Sequence, residues 1–209
     1  MKIITKFEAA VSDTDILIDL YRTGTLDLLK IVFNKVIIPD YIYSREIPII
    51  TIKFKDDTFF GLKKYIEDNE GYIVVVKDSD MLKEERMLKN ALIKEIKDIA
   101  GRGEVECVSY AHATGIRIVV SNNHREFDEL NKPIPPLINT YAIMVNYYHI
   151  LTIAYLHEKI DKDVATEYYD KINKVKGSSH NFGNKIDESI EYFKDNKYVK
   201  ILKLENAIT

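Results

Sequence analysis

The sequence predicts an α/β fold with a central parallel sheet, followed by a C-terminal helical extension. Strand and helix patterns alternate at least four times, which is typical of right-handed βαβ units with helices on both faces of a sheet. The run 116–120 is rich in β-branched residues, as expected for a strand covered on both faces. Beyond the proline-rich segment 132–136 the pattern changes to helices alone. We therefore divide the chain into a first domain, residues 1–136, and an extension, residues 137–209.

Length, net charge and cysteine content limit the kinds of protein that this chain can be. With 209 residues, of which 46% are hydrophobic, the chain is long enough to bury one full core. A net charge of -3 does not indicate the basic surface that most nucleic-acid-binding proteins carry. The single cysteine excludes an intramolecular disulfide and fits a reducing cytoplasm. The uncharged segment 137–156 is interrupted by polar residues, and the N-terminus lacks the apolar core of a signal peptide, so we expect a cytoplasmic protein without a membrane span.

The elements of the first domain follow from apolar spacing and from the residues that interrupt it. A short strand leads into an acidic turn and a helix, and Gly24 ends that helix. Pro39 is expected to start a helical turn that continues to Pro48. Gly115 is expected to end the helix that Glu104 opens. The predicted strands are 9–11, 35–38, 72–76 and 116–120, and the predicted helices are 16–23, 26–33, 39–47, 56–69, 80–100 and 104–114.

In the extension, apolar residues at helical spacing predict helices over 141–155, 161–175 and 187–195. The segment 198–204 alternates like an edge strand. Tyrosines form a stripe along the first two helices. Such a stripe either stacks on single-stranded bases or, as is commoner, fills a core or a dimer face.

The acidic turn after the first strand is the first candidate site. Asp13 stands where the strand ends, and Thr14 or Asp15 can accept hydrogen bonds from the open amides of the following helix. Capping alone is the alternative interpretation of these three residues, because aspartate and threonine are common cap residues.

Further acidic and amide residues stand at comparable places. Glu46 follows the second strand, although a solvated carboxylate paired with Arg45 is the alternative. Glu104 begins the helix before the strand 116–120, and Asn123 follows that strand. Ligands of open α/β sheets bind outside the carboxyl ends of the strands. We therefore expect these residues to meet at one edge of the sheet.

A cluster of carboxylates predicts metal chemistry. Several carboxylates cannot stay ionised together without a counter-charge, and a divalent cation supplies one. Oxygen ligands without cysteine or paired histidines favour Mg²⁺ or Mn²⁺ over zinc. A bound ion of this kind can supply a nucleophilic water and neutralise a phosphate. The cluster therefore predicts metal-assisted phosphodiester hydrolysis.

Four motifs in this order resemble those of the PIN-domain nucleases, and the resemblance covers residues 8–140. The first is Ser-Asp-Thr-Asp at 12–15, with Asp15 where the family usually has asparagine. The second is the segment 38–46, which ends at Glu46. The third is Gly-Arg-Gly-Glu-Val-Glu at 101–106, and the fourth is the segment 120–127.

The resemblance implies a PIN-like three-layer α/β/α fold and a ribonuclease that cuts RNA with Mg²⁺ or Mn²⁺. Such proteins are commonly the toxin of a toxin–antitoxin pair, act on single-stranded or structured RNA and work as homodimers, so an antitoxin protein is an expected partner. By analogy Asp13, Glu46 and Glu104 hold the metal, and one of them orients or deprotonates the water. Thr14 or Ser121 would hydrogen-bond a ligand, a water or a phosphate.

The fourth acidic position departs from the family pattern. Many members carry an aspartate where this chain has Asn123, so either Asn123 is the metal ligand or Glu126 supplies the negative charge. If neither does, only Asp13, Glu46 and Glu104 remain as carboxylates, and the affinity for the metal falls. Two other functions stay open. A catalytically weakened PIN-like module would act through protein or RNA interactions, with the tyrosine-rich extension as its binding surface. A structure-specific DNA nuclease would share the chemistry and differ in substrate.

Overall fold

The computed structural model describes residues 6–52, 57–98, 100–122, 142–176, 181–194 and 196–204. Five parallel strands form one sheet in the order β3-β2-β1-β4-β5. The central strand, β1, pairs with β2 through Ala10 and Val36, and with β4 through Ser12 and Val120. The predicted α/β fold with a parallel sheet is therefore confirmed. The strands are β1 (Ala10–Ser12), β2 (Val36–Pro39), β3 (Ile73–Val76), β4 (Ile118–Val120) and β5 (Ile143–Val145).

The helices complete a three-layer arrangement around this sheet. Those before β5 are α1 (Thr14–Arg22), α2 (Asp27–Val32), α3 (Ile47–Thr51), α4 (Thr58–Asp68), α5 (Lys83–Ile96) and α6 (Arg102–Thr114). Those after it are α7 (Tyr147–Leu156), α8 (Lys162–Lys176), α9 (Phe182–Phe193) and α10 (Asn196–Leu202). A π-helical turn, Ile42–Glu46, precedes α3, and a 3-10 turn, Asp78–Asp80, follows β3.

One hydrophobic core joins the sheet to the C-terminal helices. Helix α6 packs against β1, β2 and β4, while α7 packs against α2 and is covered by α8 and α9. Tyr169, Phe182 and Phe193 are almost fully buried and belong to the same core as the strands. The extension therefore shares one hydrophobic core with the first domain, and its buried aromatic side chains belong to that core.

Two predictions for the extension are wrong. Residues 143–145 form β5 rather than part of a helix, because this short apolar run completes the sheet beside β4. Residues 198–204 do not form a strand, since α10 covers most of them. Ile201 and Leu202 are adjacent and both buried, whereas a strand would direct them to opposite faces.

The segment around Pro39 also differs from its prediction. Pro39 is the last residue of β2, and the helical conformation continues through Pro48 to Thr51. Pro48 has no N–H to donate to the carbonyl of Ser44. The turn before it is instead closed by the N–H of Ile47, which donates to the carbonyl of Ile42 in a π-helical bond.

The division of the chain at residue 136 stays a prediction, although the sheet takes β5 from the segment that we assigned to the extension. The tyrosine-rich helix α7 runs for 10 residues. Among the described residues, no helix is long and apolar enough to cross a membrane.

Candidate active site at the carboxyl edge of the sheet

The Asp13 side chain is fixed between the carboxyl ends of β1 and β4. It directly follows β1, and its backbone N–H donates to the carbonyl of Val120 at 3.0 Å. Its Oδ1 accepts the backbone N–H of Thr14 at 2.7 Å, and its Oδ2 accepts the Ser121 hydroxyl at 2.9 Å. Only 3% of the residue is exposed. Asp13 therefore caps α1 and also presents a buried carboxylate at the carboxyl edge.

Glu46 reaches the same edge from the π-helical turn. Its Oε2 accepts the Thr14 hydroxyl at 2.6 Å, so this hydroxyl orients a carboxylate rather than capping its own helix. Gly103 provides the room that the Glu46 carboxylate occupies. A Cβ at position 103 would lie 2.3 Å from Oε2 and 2.6 Å from Oε1 of Glu46. Any side chain at position 103 would displace this carboxylate.

Glu104 completes the set from the first turn of α6. It follows Gly103 directly and is 7% exposed. Its charge acts on Asp13: burial, then Glu104 and then Glu46 raise the pKa of Asp13 well above its ordinary value. The same residues act on the buried thiol of Cys107, whose pKa is raised by burial and then by Asp13, Glu46 and Glu104. Three carboxylates from distant parts of the chain therefore share one electrostatic environment.

The charge balance of this acidic cluster, which we define as Asp13, Glu46 and Glu104, favours a cation. The side-chain charges that act most strongly on Asp13 are those of Glu104, Glu46 and Asp15, and all are negative. Buried like charges raise one another's pKa, and a cation removes that cost. The donors are carboxylate and hydroxyl oxygens, which suit Mg²⁺ and Mn²⁺.

The hydrogen bonds of the acidic cluster determine how its oxygens are presented to a metal ion. Within the described ranges, no three histidine, cysteine, aspartate or glutamate side chains are grouped as metal ligands. Both oxygens of Asp13 and one oxygen of Glu46 accept hydrogen bonds from Thr14 and Ser121, which hold the two carboxylates in place. A carboxylate oxygen that accepts one hydrogen bond keeps a lone pair for a metal ion, so the donor chemistry fits a divalent cation.

The remaining predicted residues divide into two groups. Thr14 and Ser121 contact the acidic cluster directly, and Asp15 adds a negative charge beside Asp13. Asn123 and Glu126 lie outside the described residues, so the fourth acidic position stays a prediction.

Sequence reasoning missed the role of Asn122, which lies between Ser121 and Asn123. Its Nδ2 donates to the Asp19 carboxylate at 2.7 Å, and its Oδ1 accepts the backbone N–H of Tyr147 at 3.3 Å. The side chain thereby joins the end of β4 to α1 and to the start of α7. An asparagine after a strand is a visible signal, but both partners are remote in sequence.

The second glutamate of the Gly-Glu-Val-Glu segment has a different environment. Residues two apart on a helix point to nearly opposite sides, and Glu106 points away from the acidic cluster. Its Oε1 accepts from Arg102 at 2.6 Å, and its Oε2 lies 2.8 Å from the Lys89 ammonium. Lys89 also pairs with Asp78 at 2.5 Å. Burial lowers the pKa of Lys89, but its bonds to Asp78 and Glu106 outweigh burial and leave the pKa raised.

Comparison with protein families identifies a family for this chain. A family model described as a PIN domain matches residues 9–127, which is more than half of the chain and includes the acidic cluster. No curated protein and no solved structure matches the chain significantly.

Proposed function

This chain belongs to the PIN-domain family, whose fold is of a nuclease type, and we propose that it is a divalent-metal-dependent endoribonuclease. The observation that carries the proposal is the acidic cluster: an aspartate at the carboxyl edge of a parallel sheet whose pKa is raised by burial and by two neighbouring glutamates. Such strongly perturbed groups concentrate at functional sites.

The residues of the cluster would share the binding of the metal ion. A bound Mg²⁺ or Mn²⁺ would supply a nucleophilic water and neutralise charge on the scissile phosphate. Asp13, Glu46 and Glu104 would hold the ion, and one of these carboxylates would accept a hydrogen bond from the attacking water and take its proton. Thr14 orients Glu46 and Ser121 orients Asp13, so that the two strand ends and α1 fix the geometry.

RNA as the substrate, a toxin role in a toxin–antitoxin pair, a homodimer and an antitoxin partner are parts of the same proposal. They rest on the resemblance of the motifs to PIN-domain ribonucleases. Asn123 or Glu126 fills the fourth acidic position in this proposal.

The decisive variant is Asp13→Asn, which keeps the size of the side chain and removes its charge. We expect the wild-type protein to cleave single-stranded RNA with Mn²⁺ or Mg²⁺ and not with chelator. The variant should lose at least about 100-fold in rate, because it loses a charged metal ligand. The assay uses labelled single-stranded RNA and DNA. The ratio of the two cleavage rates distinguishes a ribonuclease from a DNA nuclease.

Asp170→Asn is the matched control, because Asp170 is an exposed aspartate on α8, outside the acidic cluster. It should cleave like the wild type. Normal cleavage by folded Asp13→Asn would contradict the proposal.

A binding module without catalysis is the second candidate. It is favoured by Asn123, which stands where many PIN-domain nucleases carry a fourth aspartate. This candidate predicts a stable partner or dimer and no metal-dependent cleavage under any condition. A wild-type protein that cleaves RNA with metal excludes it.

A further inference from the structure

A cleft of about 850 Å³ lies at the edge of the sheet opposite the acidic cluster. Its lining includes residues just before β1, β2 and β4, together with residues of α10 and the turn after it. The acidic cluster follows the carboxyl ends of the strands, whereas this amino-edge cleft precedes their amino ends.

Four cationic side chains line the amino-edge cleft: Lys35, Arg117, Lys200 and Lys203. All four residues are exposed. Among the described residues that line the cleft, Glu8 is the single carboxylate. The cleft therefore gathers positive charge in a chain whose net charge is -3.

The fold brings these cations together from remote positions. Lys35 directly precedes β2 and Arg117 directly precedes β4, the two neighbours of the central strand. Lys200 and Lys203 come from α10 and its end, and α10 packs against β5. A sheet edge and a C-terminal helix thus converge on one concave surface.

Converging like charges on a concave surface favour a ligand with several negative charges. Its phosphates allow a nucleic-acid strand to contact several separated cations at once and to gain free energy by counterion release. We propose that the amino-edge cleft binds the phosphate backbone of single-stranded RNA. The choice of RNA over another polyanion rests on the proposed ribonuclease function.

This cleft contributes affinity and not chemistry. A strand of three or four residues separates the two edges by about 10–13 Å of backbone, so RNA held in the cleft lies away from the acidic cluster. Removing the positive charges of the cleft should raise KM for a long RNA and leave kcat unchanged, because the residues around the scissile bond are unaltered.

The test measures RNA binding in chelator, where cleavage is not required. Fluorescence anisotropy of a labelled single-stranded RNA would be followed over a series of salt concentrations. The test variant is Lys35→Gln/Lys200→Gln/Lys203→Gln. The control is Lys94→Gln/Lys162→Gln/Lys174→Gln, which changes three exposed lysines that do not line the cleft.

Each phosphate contact contributes about 0.7 to the slope of log affinity against log salt for a single strand. We expect the test variant to lose about 2 from this slope and on the order of 100-fold in affinity near 0.1 M salt. The control should match the wild type. Equal affinity and slope for the folded test variant and the wild type would overturn the proposal, as would an equal loss in the control.

The result is separable from the ribonuclease proposal. A protein that binds RNA through the cleft but never cleaves it would refute the ribonuclease alone. A protein that cleaves RNA normally and binds equally well without the three lysines would refute the cleft alone.

Discussion

Glu104 and Glu106 are two residues apart on the same helix and both are buried, yet their surroundings carry opposite charge. Glu104 faces Asp13 and lies in the acidic cluster. Glu106 faces Lys89 and Arg102 and balances their charges together with Asp78. A buried carboxylate beside cations stabilises the pairing of α5 with α6, whereas one beside other carboxylates costs free energy until a cation binds. The difference separates a structural carboxylate from a functional one within a single motif.

The largest expected effects come from two single variants, in each of which one of these glutamates is replaced by glutamine. Glu104→Gln should lower cleavage by at least about 100-fold, because it removes a charged ligand, without loss of stability in chelator. Glu106→Gln should lower the free energy of unfolding by about 2 kcal/mol, because the buried Lys89 keeps Asp78 but loses its second charged partner. It should keep cleavage within about threefold of the wild type, since Glu106 points away from the cluster.

Urea denaturation and the RNA cleavage assay, run on both variants, measure this contrast. The assignment of Glu104 as functional and Glu106 as structural would be wrong if Glu106→Gln lost cleavage while keeping its stability, or if Glu104→Gln cleaved normally.

A smaller effect concerns the dependence of stability on pH. Burial and the glutamates raise the pKa of Asp13 in the folded state above its unfolded value. Below the unfolded pKa the residue is protonated in both states and changes nothing. Between the unfolded and the folded pKa the carboxyl is ionised only in the unfolded state, so stability falls as the pH rises, and it levels off once Asp13 is ionised in the native state as well.

Asp13→Asn should therefore be more stable than the wild type at about pH 7 in chelator, and this gain should vanish below about pH 3.9. Urea denaturation of both proteins across this range measures the gain. An Asp13→Asn protein that is less stable than the wild type at neutral pH would show that the charge is already compensated.

The sequence predicted the sheet and the edge at which Asp13, Glu46 and Glu104 meet. That was possible because β-branched strands and acidic residues at strand ends are local signals. It missed the π-helical turn that delivers Glu46, since the effect of Pro48 on the preceding turn depends on the helix continuing beyond it.

The remaining misses depend on contacts across the chain. β5 looked helical because its three residues are too short to show a period of two against the helical spacing around them. The bond from Asn122 to Asp19 joins residues 103 positions apart, and no local pattern encodes it. The pairing of Arg102 with Glu106 was also missed, although the sequence contains a local signal for it. Oppositely charged residues four positions apart on a helix commonly pair.

The central claim is that the acidic cluster is a cation site, and calorimetric titration of Mn²⁺ tests it most directly. The wild type and Glu106→Gln should bind Mn²⁺ with similar affinity, because the structural carboxylate lies outside the cluster. Asp13→Asn should bind at least about tenfold more weakly, a loss of about 1.4 kcal/mol. No binding to the wild type, or equal binding to wild type and Asp13→Asn, would contradict the claim.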